Sequence, residues 1–232
     1  MKFKSNYLIT FFFLVIIGFM IYVGETLDLA IADHFYKQEN FHSNRFLNFL
    51  YAYGILPAWI FTLTALVFFI LSFLHPFWKA WRLYALIPLL TLIVGSGLII
   101  HLTLKDHWGR PRPKQVIEFG GSQTFRPFYQ PNFFHQPEPS KSFPSGHSSM
   151  GFYFFSIMLM GKRLGKRWIY YGGLYAALIL GTLLSYARLA QGGHFFTDVF
   201  FAALIMLTTA YFFDWLLFQK RILNENIDQK TV

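Results

Sequence analysis

Three short clusters of residues, far apart along the chain, carry side chains suited to the transfer of phosphate. They are Lys105 with Arg112-Pro113, then Pro144-Ser145-Gly146-His147, then Arg188 with His194 and Asp198. Lysine and arginine bind phosphate oxygens, and arginine does so through a planar fork of N–H donors. One histidine can attack phosphorus while a second one moves a proton. Together the clusters predict a phosphate-transfer pocket.

The first cluster lies directly after an apolar run, and its two prolines stiffen the backbone beyond that run. Lys105 and Arg112 are therefore expected to stay at the membrane surface as phosphate ligands. Arg110 and His107 lie close enough in the sequence to contribute to the same site as neighbours of those ligands. Considered alone, this cluster fits equally well with a basic membrane boundary that binds lipid headgroups.

The second cluster is typical of the first turn of a helix. Ser145 is a good N-cap, and Gly146 allows an oxyanion to approach the backbone N–H groups that have no partner within the helix. His147 in that first turn is suited to donate a proton to a leaving oxygen. Considered alone, the cluster is better explained as a capped helix with an incidental histidine.

The third cluster pairs a histidine with a carboxylate. His194 and Asp198 are four residues apart at a helix start, so they share one face of the helix. A carboxylate against one imidazole nitrogen fixes the tautomer and leaves the other nitrogen free for attack. The turn at Gly192-Gly193 is expected to bring Arg188 back beside His194. The alternative is a helix-capping acid beside a surface histidine.

The elements that must position these clusters are membrane helices. The chain has 232 residues, of which 55% are hydrophobic and only 13% are charged, and it has no cysteine. Apolar runs of this length predict membrane-spanning helices. Six spans are predicted, at residues 7–23, 52–74, 83–104, 148–160, 168–187 and 195–218. The fold class is therefore an all-α integral membrane protein, a six-helix bundle forming one domain over residues 1–232.

The positions of the basic residues predict the orientation of the bundle. With six spans, the basic loops and the basic ends fall on one side, which the positive-inside rule makes cytoplasmic. Both termini and the polar tail 220–232 are then cytoplasmic, and the three clusters face outward. Ala30-Ile31-Ala32 imitates a signal-peptide cleavage site, but it lies behind Glu25 and Asp28, so an uncleaved anchor is expected. The net charge is +9, but the lysines and arginines lie between the apolar runs rather than along one face of a soluble helix. Their positions therefore argue against a nucleic-acid partner.

Taken together, the clusters resemble the three-part signature of the type 2 phosphatidic acid phosphatase (PAP2) superfamily. That signature is Lys, six residues and Arg-Pro; then Pro-Ser-Gly-His; then Ser-Arg, five residues, His, three residues and Asp. The chain matches it in order and spacing over residues 104–200, except that Ala187 replaces the usual serine. The stretch after Arg188 looks like the bacterial membrane lipid phosphatases. The resemblance thus implies a bacterial inner-membrane enzyme whose active site faces the periplasm.

The resemblance also implies roles for the site residues. His194 would attack phosphorus and form a phosphohistidine, and Asp198 would orient it. His147 would protonate the departing lipid oxygen and then help water to attack the intermediate. The phosphoryl oxygens would be held by Lys105, Arg112, Arg188, Ser145 and Gly146. This chemistry needs no metal and no cofactor.

The expected partner is a phosphorylated membrane lipid among the other membrane lipids. Lipid A is favoured, and phosphatidylglycerophosphate, phosphatidic acid and undecaprenyl diphosphate are the other candidates. The aromatic loop 113–143, which includes Phe128 and Phe134, is expected either to shape the path of the lipid or to be a passive interfacial belt. Arg126 and Lys141 in that loop would meet a second anionic group of the substrate or bulk anionic lipid.

Three alternatives remain open from the sequence. A lipid phosphotransferase would use the same phosphohistidine but pass the phosphate to another lipid. A non-catalytic lipid-binding or transport protein would require charges or broken helices near the membrane midplane, where the sequence offers little. A haloperoxidase would use the same pocket for vanadate, but those relatives are soluble.

Overall fold

The computed structural model describes residues 2–133 and 140–228, with side chains described over residues 11–133 and 140–219. Most of the described chain is α-helical. The helices are α1 (Lys2–Phe35), α2 (Arg45–Tyr53), α3 (Leu56–Leu74), α4 (Arg82–Leu90), α5 (Gly146–Phe152), α6 (Phe155–Arg163), α7 (Arg167–Ala190) and α8 (Phe196–Asp228). A π-helix at Thr91–Lys105 continues α4, and short 3-10 helices occupy Pro76–Trp81, Pro113–Gln115 and Ile117–Phe119. An antiparallel hairpin of β1 (Tyr36–Lys37) and β2 (Asn40–Phe41) follows α1.

The prediction of an all-α membrane protein is confirmed. Among the described residues, five helical segments are long and apolar enough to cross a membrane, at Phe11–Phe35, Arg45–Leu74, Pro76–Lys105, Arg167–Ala190 and Phe196–Gln219. The span expected at 148–160 is instead divided into α5 and α6 by a turn at Tyr153 and Phe154. A count of six membrane crossings therefore stays a prediction.

One predicted boundary differs from the structure. The first helix does not end near Val23 but continues to Phe35, and Asp28 within it is completely buried and paired rather than exposed at a membrane boundary. The last candidate span ends at Gln219, close to the predicted end at residue 218, and α8 continues beyond it to Asp228 through the expected polar tail, whose cytoplasmic location stays a prediction. Residues 229–232 lie outside the described part of the chain.

The core forms where α5 and α6 pack against α7, with α8 and the π-helix around them. Glycines allow the closest approach: a Cβ atom on Gly151 of α5 would lie 2.5 Å from the Cα of Gly181 in α7. At the other end of α6, Arg163 donates to both oxygens of Asp214 at 2.6 and 2.7 Å. These contacts hold α6 between α7 and α8.

Four elements meet at one end of this core. The π-helix ends at Lys105, α5 begins at Gly146, α7 ends at Ala190 and α8 begins at Phe196. The backbone N–H of Ser145 donates to the carbonyl of Asp198 at 3.1 Å, which ties the start of α5 to the start of α8. All three sequence clusters lie at these ends, so the fold brings them together.

Candidate active site

The first turn of α5 lies against the lysine of the first cluster. A Cβ atom added to Gly146 would be 3.4 Å from Nζ of Lys105 and 2.6 Å from Nε2 of His101. The imidazole of His101 is held in place because its Nδ1 lies 2.7 Å from the Ser96 carbonyl, five residues earlier in the π-helix. Only glycine fits at position 146, and the ammonium group is thereby brought beside the N–H groups of the helix start.

Ser145 is the N-cap of α5 and is completely buried. Its hydroxyl oxygen accepts from the backbone N–H of Ser148 at 3.3 Å and from the Ser148 hydroxyl at 2.8 Å. Both bonds use the oxygen of Ser145 as acceptor, so its own proton is left to be donated. The hydroxyl can therefore cap the helix and also donate to a phosphate oxygen.

An aromatic residue that the sequence analysis missed organises two of the expected site residues. The ring of Tyr51, in α2, stacks on the imidazole of His147 with centroids 4.6 Å apart and an interplanar angle of 15°. The guanidinium of Arg188 lies over the same ring, 4.7 Å from its centroid. Burial, together with the charges of Arg188 and Lys105, lowers the pKa of His147 to about 4. The imidazole is therefore neutral at pH 7 before a ligand adds negative charge.

The arginine of the third cluster depends on the glycine turn that follows it. A Cβ atom on Gly193 would clash with Nη2 of Arg188, so any larger residue would displace the guanidinium. Nη1 of Arg188 donates to Oε1 of Gln191 at 2.9 Å. Nε of Arg188 and Nε of Arg112 are both buried with no hydrogen-bond partner among the described residues. These N–H groups are the donors that a phosphate ligand would satisfy.

His194 is almost fully buried, and a backbone group sets its tautomer. Its Nδ1 lies 2.6 Å from the carbonyl oxygen of Ser142, whereas Oδ2 of Asp198 is 3.6 Å away. A carbonyl can only accept, so Nδ1 carries the proton and Nε2 keeps its lone pair. We expected the carboxylate to hold this nitrogen; in the structure the carbonyl does so, and the carboxylate acts at longer range. Burial lowers the pKa of His194 to about 3 despite Asp198, so the ring is neutral at pH 7.

Asp198 is itself held by three donors. Its Oδ2 accepts from the hydroxyl of Ser142 at 2.5 Å and from the backbone N–H of Phe195 at 2.8 Å. Its Oδ1 accepts from Nη1 of Arg110 at 2.5 Å. Ser142 thus contacts both members of the pair, His194 through its carbonyl and Asp198 through its hydroxyl. It was not among the residues expected at the site.

Arg110, expected only as a neighbour of the site, lies in its buried support. Nη2 of Arg110 donates to Asp28 at 2.7 Å, and Nε donates to the carbonyl of Arg126 at 2.9 Å. Thr197 donates to Asp28 through its backbone N–H and its hydroxyl, at 2.8 and 2.7 Å. Burial alone would lower the pKa of Arg110, but Asp198 and Asp28 raise it above its ordinary value.

Asp28 is a further residue of this support that the sequence motifs do not include. This residue of α1 is 0% exposed and completes a buried chain from α1 through Arg110 to the carboxylate beside His194. The sequence carries one signal for it, since an acidic residue next to a run of apolar residues is costly unless it has a partner.

Other expected contributors lie apart from this arrangement. His107 is exposed, and its Nδ1 is 2.9 Å from the carbonyl of Thr103. Lys141 forms an exposed ion pair with Asp106 at 3.1 Å, and Arg126 contributes its backbone carbonyl to Arg110.

The aromatic loop and the substituted motif position have packing roles. Phe128 is buried against Phe143 and Phe201, while Phe134 lies outside the described residues. Ala187, where the family signature has serine, is buried among Leu47 and Leu50. Within the described residues, no group of three or more His, Asp or Glu side chains is placed to hold a metal ion.

Comparisons with known proteins identify the family of this chain. The family profile of the PAP2 superfamily matches residues 84–222. A lipid A 4'-phosphatase of Francisella tularensis subsp. novicida (strain U112) is 31% identical over 200 residues, which cover 84% of this chain and 88% of the relative. Lipid A 4'-phosphatases of Rhizobium leguminosarum and Rhizobium etli are 34% and 29% identical, over 51% and 50% of this chain and 52% and 47% of theirs. No solved structure matches the chain.

Proposed function

We propose that this chain removes a phosphate from lipid A through a phosphohistidine at His194. The chain belongs to the PAP2 superfamily and is a membrane lipid phosphatase of that type, as the sequence predicted. The observation that carries the mechanism is the hydrogen bond from Nδ1 of His194 to the Ser142 carbonyl. It leaves a neutral Nε2 as nucleophile in a pocket supplied with three cations. The identity of the relatives supports lipid A ahead of the other candidate lipids.

In the first step, Nε2 of His194 forms a bond to phosphorus and the bond from phosphorus to the lipid oxygen breaks. The imidazole becomes cationic, and the charge of Asp198, 3.6 Å from Nδ1, stabilises it. Lys105, Arg112 and Arg188 stabilise the negative charge on the equatorial oxygens. The bound phosphate also offsets the cations that depress the pKa of His147. His147 can then bind a proton and transfer it to the leaving lipid oxygen.

In the second step, water attacks the phosphohistidine. The now neutral His147 removes a proton from that water as the new oxygen–phosphorus bond forms. The bond between phosphorus and Nε2 of His194 breaks, inorganic phosphate leaves, and the imidazole of His194 is again neutral. His147 then holds the proton taken from water and loses it to solvent once the phosphate has left, because burial and the neighbouring cations again lower its pKa. Each histidine is thereby returned to the state in which it began.

An apolar cavity supports a lipid substrate. It has a volume of about 500 Å³ and is lined mainly by apolar residues of α3 and the π-helix, such as Trp59 and Ile93, and it reaches Gly146 and His147 at the site. A hydrocarbon chain in this cavity would place the phosphate it carries beside the catalytic groups. By the charge distribution of the loops, the site faces the periplasm and both termini are cytoplasmic in the inner membrane.

The proposal is tested by phosphate release from the purified protein in detergent, with chelator present and no acceptor lipid. The panel is lipid A, phosphatidylglycerophosphate, phosphatidic acid and undecaprenyl diphosphate. We expect the wild type to release phosphate faster from lipid A than from the other lipids. The His194→Ala variant should release none. The His34→Ala variant, changed at an exposed histidine of α1, should release phosphate at the wild-type rate. Rapid quenching with base should trap acid-labile phosphate on the wild type. Preference for another lipid would contradict the proposed substrate. Absence of free phosphate, with phosphate appearing instead on an added acceptor lipid, would indicate a phosphotransferase.

A further inference from the structure

A second cavity adjoins the candidate active site on the side of its arginines. Its volume is about 310 Å³, and Arg112 and Arg188 form part of its wall together with Lys114. Neither histidine of the proposed mechanism, nor Lys105, lines it. It therefore lies beside the phosphoryl pocket and shares two cations with it.

The polar lining of this cavity consists largely of hydrogen-bond donors. Gln191 accepts from Arg188 and donates through Nε2 to Oδ1 of Asn48 at 3.0 Å. The Ser43 hydroxyl donates to the same Asn48 oxygen at 3.2 Å. The amide oxygens of Gln191 and Asn48 are thus already used as acceptors, and the exposed Nδ2 group of Asn48 is a further donor in this wall. The lining includes no carboxylate, so its charge is entirely positive.

Lys114 adds a cation beyond those of the family signature, and its backbone is fixed relative to the nucleophile. Its N–H donates to the carbonyl of Gly192 at 3.2 Å, in the turn that leads to His194. Arg112, two residues earlier in the chain, is anchored by its backbone N–H, which donates to Oε1 of Gln115 at 2.8 Å. No ion pair of Lys114 occurs in the described ranges, in contrast to Lys141, which is paired with Asp106. One phosphoryl group is already matched by three cations, so a fourth cation and free amide donors suit another anion.

We propose that this cavity binds a second oxyanion beside the phosphoryl group that is removed, and that Lys114 and Asn48 are its ligands. The proposal rests on the proposed function and narrows its substrate class to lipids with a second phosphate. Such a lipid presents one phosphate to His194 and the other to the cavity. For Arg126 and Lys141, the proposal favours the other alternative left open by the sequence, contact with bulk anionic lipid.

The test compares two lipids that differ only in the second anion: lipid A with both phosphates, and lipid A that retains only its 4' phosphate. Steady-state release is measured for the wild type, Lys114→Met, Lys114→Arg and Lys141→Met. We expect the wild type to have the lower KM for the bis-phosphorylated lipid. Lys114→Met should raise that KM about tenfold, as expected for loss of a charge-assisted hydrogen bond, and so remove the preference. Lys114→Arg and Lys141→Met should both keep it.

Two results would overturn the subsite. If Lys114→Met raised the KM equally for both lipids, Lys114 would attract anionic lipids in general rather than bind the second phosphate. An unchanged KM, with weaker inhibition by inorganic phosphate, would assign the cavity to the released product rather than to the lipid. Failure of the proposed function is recognised separately, as no release from either lipid by the wild type. In that event calorimetry decides: the wild type should bind inorganic diphosphate more tightly than phosphate, and Lys114→Met should lose that difference.

Discussion

Arg110 and Arg112 are two residues apart in one Arg-Pro-Arg-Pro segment, yet their environments are opposite. Arg110 is 1% exposed, and its guanidinium nitrogens donate to Asp28, Asp198, Thr197 and a backbone carbonyl. Arg112 is partly exposed, lines the second cavity beside the site and has an Nε without a partner among the described residues. The comparison shows that nearby carboxylates, rather than position in a motif, decide whether the donors of an arginine are used within the fold or left available for a ligand.

The largest expected effect is a loss of stability on replacing Arg110, whose guanidinium nitrogens all have hydrogen-bond partners. Arg110→Met leaves two buried carboxylates, Asp28 and Asp198, without their cation. We expect a loss of about 3–5 kcal/mol in the free energy of unfolding, because an unpaired buried charge is costly. Denaturation of the purified protein in detergent measures it, with the exposed Arg45→Met as the matched control. A variant as stable as the wild type would show that the two carboxylates do not depend on this cation.

Replacement of Arg112, whose Nε has no partner among the described residues, should reduce activity strongly and stability little. Arg112→Met removes a phosphate ligand and no described ion pair, so stability should stay within about 0.5 kcal/mol of the wild type. The turnover number should fall about 10²- to 10³-fold, because charge on the phosphoryl oxygens loses a preorganised donor. Phosphate release and denaturation are measured on the same preparation. If Arg112→Met reduced stability and activity together, Arg112 would support the fold as Arg110 does, and the proposed difference between the two arginines would be contradicted.

A smaller effect is expected at the remote carboxylate. Asp28→Asn keeps a side chain of the same shape but removes one of the two charges on Arg110. We expect a loss of about 1–3 kcal/mol in the free energy of unfolding, from weaker bonds to Arg110 and Thr197. The exposed Asp33→Asn, five residues later on α1, should have no effect. Equal stability of the two variants would show that Asp28 on α1 does not stabilise the buried chain that leads to Asp198.

The last expected effect concerns pH. The pKa of His194 is about 3 in the folded protein against 6.5 ordinarily, so the unfolded chain binds a proton that the folded protein does not between these values. The stability due to this group is complete above pH 6.5 and falls by about 1.4 kcal/mol per unit as the pH decreases toward 3. His194→Asn should flatten the decline measured between pH 6.5 and 4.5. His34→Asn should leave it unchanged, and an equal slope in all three proteins would contradict the neutral His194.

The sequence predicted the family and the clustering of the motif residues well, because helix ends and spacing carry that information. Lys105, Ser145, Gly146 and His194 gather at one end of the bundle as expected. The partner of His194 could not be predicted, because a backbone carbonyl leaves no mark in a pattern of side chains. Tyr51 was missed for a related reason, since one aromatic residue in a chain with 30 Phe and 13 Tyr residues has no distinguishing context.

By itself, the sequence determined that this chain enters a membrane as helices and that three motifs lie where those helices begin or end. Both follow from local properties, namely apolar run length and helix-start chemistry. Only the tertiary structure decided which charges meet, because Arg110 lies 82 and 88 residues from Asp28 and Asp198. A buried charge is tolerated only with its partner, and which partner is near depends on how α1, α5 and α8 pack.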